Sequence, residues 1–465
     1  MTPAPNQLPT RAERLDGLPF TRLHRRILGA SGMGWALDAM DVGLISFLLV
    51  ALKAYWNPSS LTLSILAAAG FAGMAIGASG GGWLADRIGR RRVFALTMVL
   101  YGVATGVSAL AWGVVVLIVL RFVVGLGLGA ELPVASTLVS EFSPSRIRGR
   151  MIVWLEAFWA VGWTLAALIG FFVASPDSVF GGAGWRIALL FGAVPALWAV
   201  VIRRTVPESV RYLEAKGLHA QAERVVVRFE QSAYGKGQPE ATAPAQPRSG
   251  IDQTTAPTAA KVPVKALFGR GLRRRTAAIW AVWFCVNFSY YGAFIWLPTI
   301  LNAELNSFSK SLGYTLIITL AQLPGYAMAA WLIEKWGRRA TLATFLIGSA
   351  CAAAVFSQVS TESGIIAAGM ALSFFNLGAW GALYAVTPEI YPTVLRGTGA
   401  GWAAGFGRIA SILTVLLSIQ VFTAMGTTWV FTMFAVAFVI GAAAALLLPE
   451  MRAKALQTEL TEVQP

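Results

Sequence analysis

Histidine and cysteine are nearly absent from this 465-residue chain, two of each, and charged residues make up only 13% of it. Cys285 and Cys351 both sit inside apolar runs, which excludes a disulfide framework, and no metal-ligand spacing is present. His24 and His219 lie in polar segments. There is no glycine-rich phosphate loop and no pairing of nucleophile with base. An enzyme, a cofactor and nucleotide-driven chemistry within this chain are therefore not expected. The basic arm of Arg11, Arg14, Arg22, Arg25 and Arg26 is not followed by a short apolar core and a small-residue cleavage site, so no cleaved signal peptide is expected.

What is abundant is apolar sequence, at 56% of residues. The composition is that of a polytopic membrane protein rather than a soluble one with a large core. The net charge of +15 comes from short basic clusters between apolar runs, which is the pattern of membrane topology and not of nucleic-acid binding. Apolar runs long enough to cross a bilayer cover 27–52, 61–85, 93–113, 114–140, 150–174 and 185–203. Six more cover 276–301, 310–333, 340–360, 363–389, 398–424 and 427–448. The expected fold is thus all-α, with twelve transmembrane helices. Arg87, Arg90, Arg91 and Arg92 follow the second run, Arg146, Arg148 and Arg150 the fourth, and Lys335, Arg338 and Arg339 the eighth. The opposite loops hold only Lys53, Arg186 and Lys310. Both termini are therefore expected on the cytoplasmic side.

Residues 204–275 interrupt the apolar pattern. They open with a charged segment, Arg203 to Arg224, suited to amphipathic helices, and turn to Gln, Pro, Ala and Thr over 237–260, the composition of a flexible linker. The expected organisation is an arm at 1–26, a six-helix bundle at 27–203, a linker at 204–275, a second bundle at 276–448 and a tail at 449–465. The two bundles repeat each other. Asp86 within Gly82-Trp83-Leu84-Ala85-Asp86-Arg87-Ile88-Gly89-Arg90-Arg91 corresponds to Glu334 in the matching stretch Ala330 to Arg339, and 334 − 86 = 248. Glu141, Pro144 and Arg148 correspond to Glu389, Pro392 and Arg396 at the same offset, as Trp35 does to Trp283. Two repeats in the same orientation place a binding site between them, near the bilayer midplane.

The first run contains the most unusual residues. Asp38 and Asp41 are its only charges between Ile27 and Leu52, and spaced i, i+3 they share a helix face with Trp35. A carboxylate at the bilayer centre costs on the order of 2.5–3.5 kcal/mol on insertion scales, so this pair marks an ion or substrate pathway or a buried ion pair.

The sequence resembles the major facilitator superfamily. Its loop signature stands as Gly82, Leu84, Ala85, Asp86, Gly89, Arg90 and Arg91, its fourth-span pattern as Arg121, Gly125, Gly127 and Gly129, and its signature after span six as Pro207, Glu208, Ser209 and Arg211. Within that superfamily the stretch Trp35 to Ser46 is similar to bacterial niacin (nicotinate) transporters. These are related to aromatic-acid–proton symporters, organic ion transporters and synaptic-vesicle glycoproteins. Sugar–proton symporters share Asp41, but their paired-glutamine motif in span seven is replaced here by Asn287-Phe288-Ser289-Tyr290-Tyr291-Gly292. The resemblance implies a major facilitator fold and secondary transport of nicotinate with a proton across the inner membrane by a monomer. Another aromatic acid or small organic ion is the alternative substrate, and a non-transporting receptor-like protein the alternative of another class.

Each candidate residue carries a functional and a structural reading. Asp41 is the candidate proton-coupling group, because burial and a neighbouring cation pull a carboxylate's ionisation in opposite directions. The resemblance to sugar symporters supplies that cation as Arg121, and a static salt bridge is the alternative. Asp38, one turn nearer the cytoplasm, shares the proton or orients substrate. Arg408 stands at similar depth in span eleven, and its planar fork suits a carboxylate. The resemblance to anion-selective organic ion transporters points the same way, while an ion pair with Glu156 or Glu131 is the alternative.

Trp35, Phe288, Tyr290, Tyr291, Trp296, Trp380 and Tyr384, with Trp154, Phe158 and Trp159, supply rings to grip a flat acid or serve as packing and interface anchors. Asn287, Gln322 and Asn376 hydrogen-bond either a pyridine nitrogen or a neighbouring helix. By resemblance, Asp86, Arg90, Glu141, Arg148, Glu208 and Arg211, with Glu334, Arg338, Glu389 and Arg396, form gating ion pairs on the cytoplasmic side. The glycines of span four, and Gly399, Gly401, Gly405 and Gly407 in span eleven, are expected to permit close helix approach.

Overall fold

The computed structural model describes residues 9–175, 178–235, 264–269, 271–392 and 395–450, excluding the side chains of Ser79, Asp86, Leu132, Pro133, Val264 and Arg396 and of the glycines at 82 and 397. The 237–260 linker, nearly all of the 449–465 tail and the gating candidates Asp86 and Arg396 therefore fall outside the described residues or side chains.

The apolar runs form twelve helical units. Spans one to six are Arg22–Trp56, Ser60–Ile88, Arg90–Ser108, Val114–Phe142, Ser145–Ile169 and the broken helix Gly184–Phe191 with Val194–Thr205. Spans seven to twelve are Arg273–Leu305, the broken helix Phe308–Leu320 with Gln322–Trp336, Arg338–Phe356, Glu362–Ile390, Arg396–Met425 and Thr427–Leu446. Among the described residues, eleven of the twelve are long and apolar enough to cross a membrane. The third falls short because it opens on Arg90-Arg91-Arg92, whose charges lower the mean hydropathy of a 19-residue helix. The split of the long 93–140 run falls where expected, between Ser108 and Val114.

Spans one and seven reach further than the apolar pattern indicates. Span one starts at Arg22 because Thr21 caps it, its hydroxyl accepting the His24 N–H at 3.3 Å, so its first turn is polar. It ends on Asn57, which adopts the left-handed conformation at φ 46°. The tight turns between spans two and three and between eight and nine are made by Gly89 at φ 102° and Gly337 at φ 93°. These glycines are 337 − 89 = 248 residues apart, so the repeat extends to backbone conformations open mainly to glycine.

Within the first half, span one lies on span five, span two on span four, and span three between four and six; the second half repeats this arrangement. Close approach is enforced where a side chain would not fit. A Cβ on Gly125 would strike the Gly70 carbonyl, and one on Gly162 the Ala36 carbonyl, which seats span five on span one. Gly401 and Gly405, by contrast, have nothing near where a Cβ would lie. Their expected role in close helix approach is not met, whereas Gly399 and Gly407 do abut Tyr391 and Asn287. The halves meet through spans two and eleven, five and eight, one and seven, and five and ten.

Two short helices, Val210–Ala215 and His219–Tyr234, follow span six on the arginine-rich face. The helix Arg11–Asp16 docks on them through Arg11–Glu214 at 3.1 Å, Arg11–Glu223 at 2.7 Å, Arg14–Glu223 at 2.6 Å and Arg14–Glu230 at 2.8 Å.

Candidate functional site: a cavity between the two halves

Span five contributes Glu156 and Trp159 to a small cavity between the halves. The opposite half supplies Tyr291 from span seven, Tyr326 from span eight, Trp380 and Tyr384 from span ten, and Arg408 from span eleven. This is the interface where repeat symmetry places a transport site. Its wall is one cation, one carboxyl and five aromatic rings.

Arg408 donates to the Tyr291 phenol oxygen at 3.0 Å, and its guanidinium lies 5.7 Å from the centre of that ring. One hydrogen bond leaves most of a five-donor fork for a ligand. Glu156 is 3% exposed and forms no direct ion pair with Arg408 among the described residues, although the two interact electrostatically across the cavity. The rings hold one another in fixed orientations: Trp380 stacks on Tyr384 at 5.7 Å and meets Tyr290 edge-on at 5.7 Å. Tyr290 stands behind the wall and accepts a hydrogen bond from the Trp159 indole at 3.0 Å, so it braces span five against span seven.

Asp41 lies elsewhere. It is fully buried in the first half, where it accepts from Arg121 at 2.8 Å and from the Thr105 hydroxyl at 2.7 Å. Arg121 borders a second small cavity lined by Val42, Ile45, Phe71, Met74 and Leu128. Asp38 is buried beside Tyr101 and Glu131, and neither aspartate lines the central cavity. Glu131, considered as a partner of Arg408, packs against Gly34 of span one instead.

The other polar and aromatic candidates divide between wall and scaffold. Trp35 is buried against Trp159 with ring centres 5.8 Å apart. Asn287 donates to the Trp283 carbonyl at 2.8 Å and accepts from Ser411 at 3.1 Å, which joins spans seven and eleven. Gln322 and Asn376 are fully buried, and neither amide makes a hydrogen bond among the described residues. Trp154 is 63% exposed on the outer surface, and Phe158 packs against Gly32. Phe288 stacks on Phe284 at 6.1 Å, and the Trp296 indole donates to the Val415 carbonyl at 3.1 Å. Phe158, Phe288 and Trp296 are packing residues, and Trp154 faces outward. Tyr326 is the wall residue not anticipated from sequence. Its one signal there is its position one turn after Gln322 in an apolar span.

On the arginine-rich face, Arg90 pairs with Glu141 at 3.1 Å, and its repeat counterpart Arg338 pairs with Glu389 at 3.0 Å. Glu141 also accepts from the Ser209 hydroxyl. Glu208 accepts the Arg91 backbone N–H at 3.1 Å, and Glu450 accepts those of Arg338 and Arg339 at 3.0 and 3.1 Å. Each carboxylate thus caps the positive end of a helix. Pro449-Glu450 repeats Pro207-Glu208, a correspondence missed in the sequence. Arg148 binds the Ser140 and Ser143 carbonyls at 3.1 and 3.2 Å, ending span four. Arg211 feels Glu141 electrostatically. Glu334 instead faces Arg150 of the other half at 3.5 Å.

Twelve helical units in two matching halves, with a charged aromatic cavity between them, define a secondary transporter. The family model "Sugar (and other) transporter" matches residues 31–459, and the chain belongs to that family of the major facilitator superfamily. It is a multi-pass membrane transporter and not an enzyme. The chain is 42% identical over 94% of its length to the niacin transporter NiaP of Acinetobacter baylyi, spanning 96% of that protein. It is 30% identical to organic cation/carnitine transporter 7 of Arabidopsis thaliana, covering 94% of this chain and 93% of that one. Its fold matches the proton:xylose symporter XylE with a TM-score of 0.72 at 19% identity, over 93% of this chain and 97% of that one.

Proposed function

We propose that this protein is an inner-membrane carrier, working as a monomer, that imports nicotinate together with a proton by rocking one half against the other. The observation that carries the reading is Arg408, a guanidinium on the wall of an aromatic cavity between the halves. A carboxylate there makes two parallel charge-assisted hydrogen bonds to the fork, while a flat ring packs edge-to-face on Tyr291, Trp380 and Tyr384. The name of the Acinetobacter relative supports nicotinate. The glutamine pair of sugar symporters is missing from span seven, which disfavours a sugar.

Asp41, Arg121 and Asp38 form the buried charge group of the first half and are the alternative seat of the proton. The pairs Arg90–Glu141 and Arg338–Glu389, with Glu208, Arg211, Arg148 and Glu334, fasten the cytoplasmic ends when the cavity faces outward. Uptake of labelled nicotinate, challenged with nicotinamide, benzoate and glucose at two pH values, tests the reading. Competition by nicotinate and benzoate but not by glucose supports a carboxylate carrier. Failure of unlabelled nicotinate to compete ends it. The name of the Arabidopsis relative favours a second reading, an organic ion other than nicotinate, which the same panel extended with carnitine separates.

A further inference from the structure

We infer that Glu156 is the residue that ties one proton to each carboxylate anion in the cavity: Arg408 serves one negative partner at a time, so the anion binds only when Glu156 is neutral. This rests on the proposed carboxylate reading of the same cavity.

Three observations lead to it. Glu156 and Arg408 come from opposite halves and, among the described residues, are the only ionisable carboxyl and cation on the cavity wall. Glu156 is buried, with no direct ion pair among the described residues, so its charge is balanced only across the cavity by Arg408. The other titratable groups facing it are phenols: Tyr326 from span eight, Tyr384 from span ten and Tyr291 from span seven. Span one, which packs on span five, does not answer the charge, because Asp41 is held by Arg121 and Thr105 and Asp38 faces Tyr101 and Glu131.

Charge counting gives the consequence. With Arg408 cationic, the empty cavity is neutral when Glu156 is ionised and carries one positive charge when Glu156 is protonated. A bound carboxylate beside an ionised Glu156 leaves one net negative charge away from water, where like charges repel strongly. A proton taken from the same solution as the anion restores neutrality, and it leaves with the anion on the other side. Empty and loaded carriers then carry the same charge through the membrane. The Asp41–Arg121 pair is set apart from the cavity and lacks this direct competition with substrate.

The test is nicotinate binding to the purified protein by calorimetry across pH, in buffers of different ionisation heat. On the alkaline limb, where Glu156 is ionised before binding, wild type is expected to take up one proton per anion, with affinity falling about tenfold per pH unit. Glu156→Gln is expected to bind with a flat pH profile and no proton uptake, and Glu156→Asp to restore the slope. A folded Glu156→Gln that keeps the wild-type slope overturns the inference, as does one that binds at no pH. Loss of the slope in Asp41→Asn while it persists in Glu156→Gln moves the proton to Asp41. Where Glu156→Gln does not fold, the proton count of wild type decides, and binding without proton uptake overturns the inference while leaving the carboxylate reading standing. Wild type that binds neither nicotinate nor benzoate overturns that reading itself.

Discussion

Glu156 and Arg408 hold nearly the same place in the two repeats. Adding the 248-residue offset to 156 gives 404, one helical turn before 408. Spans five and eleven are symmetry counterparts, so the carboxyl and the guanidinium face one cavity from opposite sides. The site is thus a dipole, positive on one half and negative on the other.

Arg408 is predicted to be more than a positive charge. Arg408→Ala should abolish nicotinate uptake at normal surface expression. Arg408→Lys should recover only a small part of it, because an ammonium lacks the planar two-bond fork. Transport assays in cells or proteoliposomes with matched expression decide this, and full activity of the alanine variant rejects the anion site.

The Asp41–Arg121–Thr105 group predicts a stability pattern. Removing one member of a buried pair strands the other, at a cost of about 3–5 kcal/mol. Arg121→Ala and Asp41→Ala should each lower the melting temperature of the purified protein strongly. Replacing both together with apolar residues of similar size should cost less than the sum of the single changes. Additive losses in a double-mutant cycle contradict a direct pair.

The ion pairs of the arginine-rich face are not equivalent. Arg150–Glu334 joins the halves but is more than 60% exposed at both partners, so Arg150→Ala should change stability by less than about 1 kcal/mol. Arg338–Glu389 is better shielded and aligned by two nitrogens. Arg338→Ala should slow substrate exchange more than Arg150→Ala does, as counterflow rates would show.

The docked arm Arg11–Asp16 should release in acid. Burial opposes ionisation of Glu223, but hydrogen bonds from Arg14 and Arg11 outweigh it and hold the carboxyl below its ordinary value of 4.5. A lowered carboxylate contributes stability above its unfolded value, and that contribution is lost as pH falls through the lowered one. Fluorescence energy transfer between the arm and the helix His219–Tyr234 should therefore be steady near neutrality and drop below about pH 4. Glu223→Gln should show the weaker transfer at every pH.

The architecture was legible because each of its signals is local. Apolar length marks spans, arginine clusters mark one face of the bundle, and a constant offset marks the repeat. The site was only partly legible. Depth along a helix follows from counting residues, and on that basis Asp38 and Arg408 belong at one level. Rotation about the helix axis is set by packing, and it turns Asp38 toward Tyr101 and Glu131 while Glu156 takes the cavity. Tyr326 escaped notice for the same reason, since no periodicity separates a wall tyrosine from a packing one. Asn287, polar in an apolar span, is consumed by Trp283 and Ser411.

Calorimetric binding of nicotinate to wild type and to Arg408→Ala, both monodisperse and folded, tests the central claim most directly. The account predicts saturable binding by wild type and a loss of at least about tenfold in affinity without the guanidinium, the lower end expected for a charge-assisted pair. Equal affinity in the two proteins would contradict it.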